Sequence, residues 1–582
     1  MFKRFCHIFL LMVLVASCDK TIGGSTGIGS TALAAVTIST DKATYKPNDN
    51  VTFTLDKSVP TTAHVRYKYL GDVLSDATVS GTTWTWQAPA TDYRGYFAEV
   101  YNVKGTEETI LGTVAVDVST EWTKFPRYGF LSLFPQMTDA DIKSVIDNLN
   151  RHHINGLQFY DWQYKHHQPL AGTVASPTPV YKDISNRDIS FATVSKYITA
   201  AHNSNMKAMF YNLVYGAWKD AATDGVKDEW YAYTDNTHTT KDKISLPQPP
   251  FLSDIYVLDP SNVSWQNYLI NENKKVYGAL PFDGYHIDQV GNRGTRYKFD
   301  GTSLDLSQTF KPFIQAVKTD LPAKYNVMNA VNQYGQEGIA SSPVDFVYSE
   351  VWEGNESYAS LARIIKDDYS WSGNTKNSVL AAYMNYDLAN NAGFFNTPGV
   401  IMTDAIIFAF GGSHLELGEH MLGKEYFPNN NLKMKDDLKR ALVSYYDFLV
   451  GYENLLRDGG TFNNFSLTSA DYKLKLNNWP PAQGQVSVVA KEIGNRQVMH
   501  LLNYINANTL DWRDNSGSQT APSVVENARF SFTTTKTVKK MWYATPDKDN
   551  GASKAITFTQ SGNQINFNLP FLQYWDMIVV EY

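Results

Sequence analysis

The stretch Phe282-Asp283-Gly284-Tyr285-His286-Ile287-Asp288-Gln289-Val290-Gly291 reads as a short buried strand that ends in polar side chains. Successive strand residues point to opposite faces, so His286 and Asp288 share one face while Tyr285 and Ile287 share the other. An imidazole and a carboxylate on one face, followed at once by Gln289 and Gly291, are costly in a core strand. Cores avoid buried charge unless it is paired or used. Taken alone, Asp288 is also compatible with an acid that caps the next helix.

Working outward, strand-then-helix rhythm runs from about Phe125 to Asn478. Eight strands are expected at Arg127–Phe134, Gly156–Asp161, Lys207–Leu213, Gly284–Val290, Tyr325–Asn332, Val344–Val351, Val379–Asn385 and Ala405–Gly412. Helical patterns at Asp139–Arg151, Ile189–Asn203, Ser264–Tyr277 and Ser307–Thr319 separate many of them. Eight such beats predict a central (β/α)8 TIM-like barrel, whose catalytic groups sit at the C-terminal ends of its strands. On either side the rhythm is β only. Short alternating runs from Val36 to Val118, punctuated by turns such as Lys46-Pro47-Asn48-Asp49-Asn50, predict an N-terminal immunoglobulin-like β-sandwich. Runs from Val486 to Glu581 predict a C-terminal β-sandwich. The expected organisation is therefore multidomain: sandwich over 36–120, barrel over 121–482 and sandwich over 483–582.

The first residues read as a targeting segment. Lys3 and Arg4 precede an apolar run, Ile8 to Val15, that is short for a membrane span. The sequence Val15-Ala16-Ser17-Cys18 resembles a bacterial lipobox, which makes Cys18 the expected lipidated residue and residues 1–17 a signal peptide. A Gly/Ser/Thr-rich tether follows, to about residue 35. The chain has only 2 cysteines, Cys6 and Cys18, so the body after the leader can hold no internal disulfide. An exported, membrane-anchored lipoprotein at the bacterial outer membrane is expected, and a monomer. Ordinary signal peptidase cleavage near Ala32-Leu33-Ala34 is the alternative.

A net charge of −7 gives no electrostatic reason to expect a nucleic-acid partner. Aromatic residues make up 14% of the chain, a composition that fills barrels and sandwiches and also supplies flat rings for pyranose faces. The predicted strand ends carry Gln158, Tyr160, Asp161, Trp162, His166 and His167 on strand two and Tyr211 and Asn212 on strand three. His286, Asp288 and Gln289 follow on strand four, Asn329 and Asn332 on five, Glu350 and Trp352 on six, Asn385 on seven, and His414 and Glu416 on eight. Each has a bland alternative. Asp161 can cap a helix, the His166–His167 pair can be a solvated loop, His414 and Glu416 can be a core pair, and Asn329 and Asn332 can bind loop backbone. Their convergence on one rim is the stronger signal.

No HxH, HExxH or CxxC spacing points to a metal, no GxSxG elbow to a serine nucleophile, and no Gly-rich loop that follows a strand and opens a helix to a nucleotide. No cofactor is therefore expected. Two carboxylates remain, and glycosidic bonds need two: one to protonate the leaving oxygen, one to attack or to activate water. Asp288, short and flanked by polar partners, suits the nucleophile. Glu350, between Tyr348 and Trp352, sits where an aromatic setting keeps a carboxyl protonated. Glu353 is the alternative acid.

Asn155-Gly-Leu-Gln-Phe-Tyr-Asp-Trp-Gln-Tyr-Lys-His-His167, the Phe282–Gly291 stretch and Val347-Tyr-Ser-Glu-Val-Trp-Glu353 resemble glycoside hydrolase family 66. That family holds endo-dextranases and cycloisomaltooligosaccharide glucanotransferases. The resemblance implies a retaining enzyme acting on α-1,6-linked glucan, dextran and isomaltooligosaccharides, with Asp288 as nucleophile and Glu350 as acid/base. Tyr160, Asp161, Trp162, Tyr211, Asn212, His286, Gln289, Asn332 and Trp352 are then the expected sugar contacts, with Trp162 and Trp352 as stacking platforms. Cyclising members carry an extra carbohydrate-binding module inserted late in the barrel. Here strands seven and eight are joined by about 20 residues, Tyr386 to Asp404, which favours hydrolysis. A barrel that only captures glycan for a transporter is the second class of function to weigh.

Overall fold

The structure, a computed structural model, describes residues 35–582. The leader, Cys18 and most of the tether lie outside the described residues.

Two antiparallel sheets form the N-terminal sandwich. One contains Ile38–Thr40, Asn50–Leu55 and Thr83–Gln87; the other contains Asp72–Thr78, His64–Tyr69, Arg94–Lys104 and Glu107–Val118. Their alternation follows the sequence pattern, with Val51, Phe53, Tyr67, Val100, Val114 and Val116 turned inward.

Eight parallel strands follow: β1 (Tyr128–Leu131), β2 (Gly156–Phe159), β3 (Lys207–Leu213), β4 (Gly284–Asp288), β5 (Tyr325–Val331), β6 (Val347–Glu350), β7 (Ser378–Ala381) and β8 (Ser413–His414). They pair in sequence order, β1 to β8. Beyond β8, the Leu417 carbonyl accepts from the Phe130 N–H of β1 at 3.1 Å, which draws the first and last strands together. This is the multidomain TIM barrel expected from the strand–helix rhythm.

Two boundaries differ from the expectation. Ala405–Gly412 is not a strand: the helix Thr397–Ala409 occupies most of it, and β8 comes just after. All but one of that helix's residues are buried, Pro398 being the exception, because neighbouring helices and the C-terminal sheet enclose it. An apolar helix without a polar face loses the 3.6-residue period and reads like a buried strand. The link between β7 and β8 is correspondingly longer than the Tyr386–Asp404 segment, though it carries this barrel helix and no additional module. The second difference is the start of the C-terminal domain. Thr461–Asn463, Thr468–Ser469 and Leu476–Asn478, within the span assigned to the barrel, pair with the C-terminal sheets.

The flanking domains are welded to the barrel. Arg127, fully buried just before β1, pairs with Asp117 of the N-terminal sandwich at 2.5 Å and with Glu453 at 3.4 Å. A β-carbon on Gly95 would lie 1.8 Å from the Val450 carbonyl oxygen, so this strand and the helix Asp436–Gly451 meet backbone to backbone. On the other side Asp547 takes the Tyr445 hydroxyl of that helix at 2.8 Å.

Candidate active site

Parallel register decides which side chains meet at the C-terminal mouth of the barrel. Leu213 pairs with Asp288, Ile287 with Met328, and Ala330 with Ser349. Asn329 of β5 therefore lies between Asp288 of β4 and Glu350 of β6. Its amide nitrogen donates to both: 2.8 Å to Asp288 Oδ1 and 3.1 Å to Glu350 Oε2. The Tyr211 hydroxyl donates to Asp288 Oδ2 at 2.7 Å, and the Tyr383 hydroxyl to Glu350 Oε1 at 2.6 Å. One asparagine thus holds both carboxylates, and a tyrosine orients each from the far side.

The two acids are electrostatically unequal partners. Burial pushes Glu350 up to about 7, and the adjacent Asp288 charge pushes in the same direction. Burial also raises Asp288, but the donors Tyr211, Asn329 and the Gln289 N–H oppose the shift. Two carboxylates this close resist simultaneous ionisation. The state with Asp288 ionised and Glu350 protonated satisfies every donor and avoids the repulsion.

Around them opens a cleft of about 260 Å³, lined by Tyr160, Tyr211, His286, Gln289 and Trp352 among the expected contacts. His286 stacks near Tyr128 and Tyr211, and burial holds it neutral by lowering its pKa to about 3. Tyr160 stacks on Phe427 with ring centroids 4.4 Å apart. Three buried polar atoms of cleft residues, Gln158 Oε1, Gln289 Nε2 and Asn329 Oδ1, have no protein partner.

Several expected residues lie elsewhere. Trp162 is no stacking platform: it is fully buried against Phe210 and Phe282 in the layer between strands and helices. β2 ends at Phe159, and the turn that follows, left-handed at Asp161, sends the indole inward. Trp162→Ala should therefore cost stability, about 3–5 kcal/mol. A urea titration checks this; a selective rise in KM with unchanged stability would restore the platform role. Asn212 is buried and satisfied by the His166 carbonyl and the Leu213 N–H. Asp161, at φ 49°, faces Arg187 at 3.8 Å and does not line the cleft. Asn332 binds the Glu353 carbonyl, the Trp352 N–H and Asn355, so it shapes the loop after β6.

Of the two glutamates weighed as second acid, Glu350 faces Asp288, while the side chain of Glu353 is 80% exposed. His166 and His167 are buried, not a solvated pair. His414 and Glu416 form a buried core cluster with Asp404, in which the His414 Nδ1 lies 2.7 Å from Asp404 Oδ1. Asn385 ties the barrel to the C-terminal domain through Asp514. Sequence reasoning missed Tyr383, Tyr348 and Phe427 as cleft residues. The first continues the Val379–Ala381 alternation of β7 by one step, a signal available in principle. A second cavity, at the other end of the barrel against the C-terminal sheets, holds Lys366, Lys376, Arg457 and Lys491 with no carboxylate among its lining residues, so glycosidic cleavage has no acid there.

A barrel whose mouth presents two opposed carboxylates in an aromatic-lined cleft defines a glycoside-cleaving or glycoside-transferring enzyme. The chain belongs to glycosyl hydrolase family 66, whose model matches residues 40–579. It is similar to a cycloisomaltooligosaccharide glucanotransferase of Niallia circulans, 27% identical over 732 aligned positions that take in 99% of this chain and 75% of the relative. It is also similar to a dextranase of Streptococcus salivarius, 26% identical over 434 positions, 65% of this chain and 52% of the relative. Among solved structures, a cycloisomaltooligosaccharide glucanotransferase from Paenibacillus sp., complexed with cycloisomaltoheptaose, superposes with a TM-score of 0.85 at 25% identity. That match covers 94% of this chain and 100% of the other.

Proposed function

We propose that the protein is a retaining endo-dextranase that cleaves α-1,6-glucosidic linkages and releases isomaltooligosaccharides. The observation that carries this reading is the shared hydrogen-bond donor. Asn329 brings one oxygen of Asp288 and one of Glu350 to within about 5.9 Å, the sum of its two bonds. Retaining glycosidases hold their carboxyls about 5–5.5 Å apart, whereas inverting enzymes leave about 6.5–9.5 Å for a water. Asp288 then attacks the anomeric carbon while Glu350 gives its proton to the departing oxygen. A covalent glycosyl-enzyme results. Glu350, now ionised, takes a proton from the incoming water, which displaces Asp288 and restores the starting configuration.

Transfer to the chain's own far end, which makes a ring, uses the same intermediate. The similarity to glucanotransferases over almost the whole chain favours that second reading. Against it, the aligned stretch of 732 positions exceeds the 582 residues of this chain by about 150, so the relative carries that much additional sequence within the match. Proton NMR of dextran with the wild-type protein separates the two. The expected result is early α-configured reducing ends; β-configured ends would refute retention. Ring products, one water lighter by mass spectrometry and without new reducing ends, would replace hydrolysis by cyclisation.

A further inference from the structure

The connection between the C-terminal strands Arg496–Asn503 and Val525–Thr533 leaves its own sandwich and enters the barrel mouth. Its turn Asp511-Trp512-Arg513-Asp514 is fastened at several points. The Trp512 indole N–H donates to the Asn355 carbonyl at 2.6 Å, and Thr403 Oγ1 to the Trp512 carbonyl at 3.1 Å. The Arg513 carbonyl accepts the Asn385 N–H at 2.8 Å, and Asp514 accepts from Asn396 at 2.7 Å. The turn is thereby wedged between the loops that follow β6 and β7.

Arg513 is the residue this wedge delivers. It is 3% exposed, donates from Nη2 to the Val351 carbonyl at 2.6 Å, and leaves Nε without a partner. Its nearest carboxylate, the exposed Glu353, is 3.9 Å away. What meets the guanidinium instead are aromatic faces: Trp352 at 5.2 Å and Tyr386 at 5.4 Å from the ring centroids. Trp352 lines the cleft, packs on Tyr383 at 5.4 Å, and Tyr383 in turn orients Glu350. A buried cation held by π faces is strongly attached because water does not compete.

We infer that the C-terminal sandwich is part of the sugar-binding machinery: Arg513 is a positioning residue that holds the Trp352 indole as a face for a glucosyl ring of an α-1,6-glucan. The inference rests on the function proposed above. It assigns the sandwich a role in affinity, where bracing alone would affect only stability. Loss of the indole removes that face, so a linear isomaltooligosaccharide binds more weakly.

The test is a double-mutant cycle read by calorimetry with linear isomaltooligosaccharide, on the full chain carrying Asp288→Asn so that the sugar survives. Arg513→Ala and Trp352→Ala should each weaken binding about tenfold. The double variant should bind no worse than Trp352→Ala alone, since Arg513 acts only through that ring. Arg513→Lys, which keeps a cation but not the planar fork, should recover part of the loss. Thr403→Ala, which removes a hydrogen bond to the same turn but no contact with Trp352, should lower Tm and leave affinity intact. Additive losses in the cycle, or equal loss of affinity in Thr403→Ala, would overturn the inference. Binding that behaves as expected without dextran turnover by the wild-type protein would instead remove the proposed hydrolysis alone. A parent protein that binds no isomaltooligosaccharide would remove both.

Discussion

Asp288→Asn is expected to lower kcat on dextran by at least about 10⁴-fold while leaving the fold intact. The amide matches the carboxylate in shape. Its oxygen still accepts from Asn329, and the Tyr211 hydroxyl, which now donates at 2.7 Å, can turn to accept from the new amide nitrogen. What disappears is the charge that attacks the anomeric carbon in the proposed mechanism. Stability moves the other way. Burial raises the Asp288 pKa in the folded state, so its proton is held more tightly folded than unfolded. The wild-type protein therefore loses stability as pH rises from the ordinary carboxylate range through that raised pKa. The Asn variant escapes this loss. Its Tm should equal or exceed that of wild type at pH 7, with the difference shrinking towards acid pH. Differential scanning calorimetry at two pH values, beside a reducing-sugar assay, checks both halves. Residual turnover within about tenfold of wild type would move the nucleophile elsewhere.

Glu350→Gln is expected to cost about 10²–10⁴ in kcat and to change the pH profile. Glu350 is held at about 7 by burial and by the Asp288 charge. In the proposed mechanism it serves as acid only while protonated, so wild-type kcat/KM should fall as pH rises past about 7. Glutamine has no proton to lose, and the variant's basic limb should flatten. Azide offers a further check, because it attacks a glycosyl-enzyme without needing a base. Added azide should raise turnover of the Gln variant on a substrate with a good leaving group and do little for Asp288→Asn. A basic limb that persists in Glu350→Gln would assign that ionisation to another group. Asp161, whose burial also lifts it to about 7, would be the first to examine.

Much of this site was legible from local pattern. Parity along Gly284–Asp288 put His286 and Asp288 on one face, and the structure turns that face into the barrel mouth. The strand ends of β3, β4 and β6 carried Tyr211, Gln289, Glu350 and Trp352 in the expected direction. Parity failed once a strand had ended. Trp162 lies in the turn beyond β2, where the backbone already takes a left-handed conformation at Asp161, and alternation no longer says where a side chain points. It failed likewise for Thr397–Ala409, buried all round and therefore without period.

Strand alternation and helix period are local properties, so the sequence by itself determined the barrel, its two flanking sandwiches and Asp288 at a strand end, with Glu350 and Glu353 as candidates for the second acid. Which acid faces Asp288, which asparagine holds both, and which arginine braces Trp352 were decided only by tertiary structure. Strand register and a turn from another domain settle them, through contacts between residues as far apart as Trp352 and Arg513. Such contacts leave no periodic trace in the chain, because the energy that selects them comes from burial and pairing after folding, not from the conformational preference of any one segment.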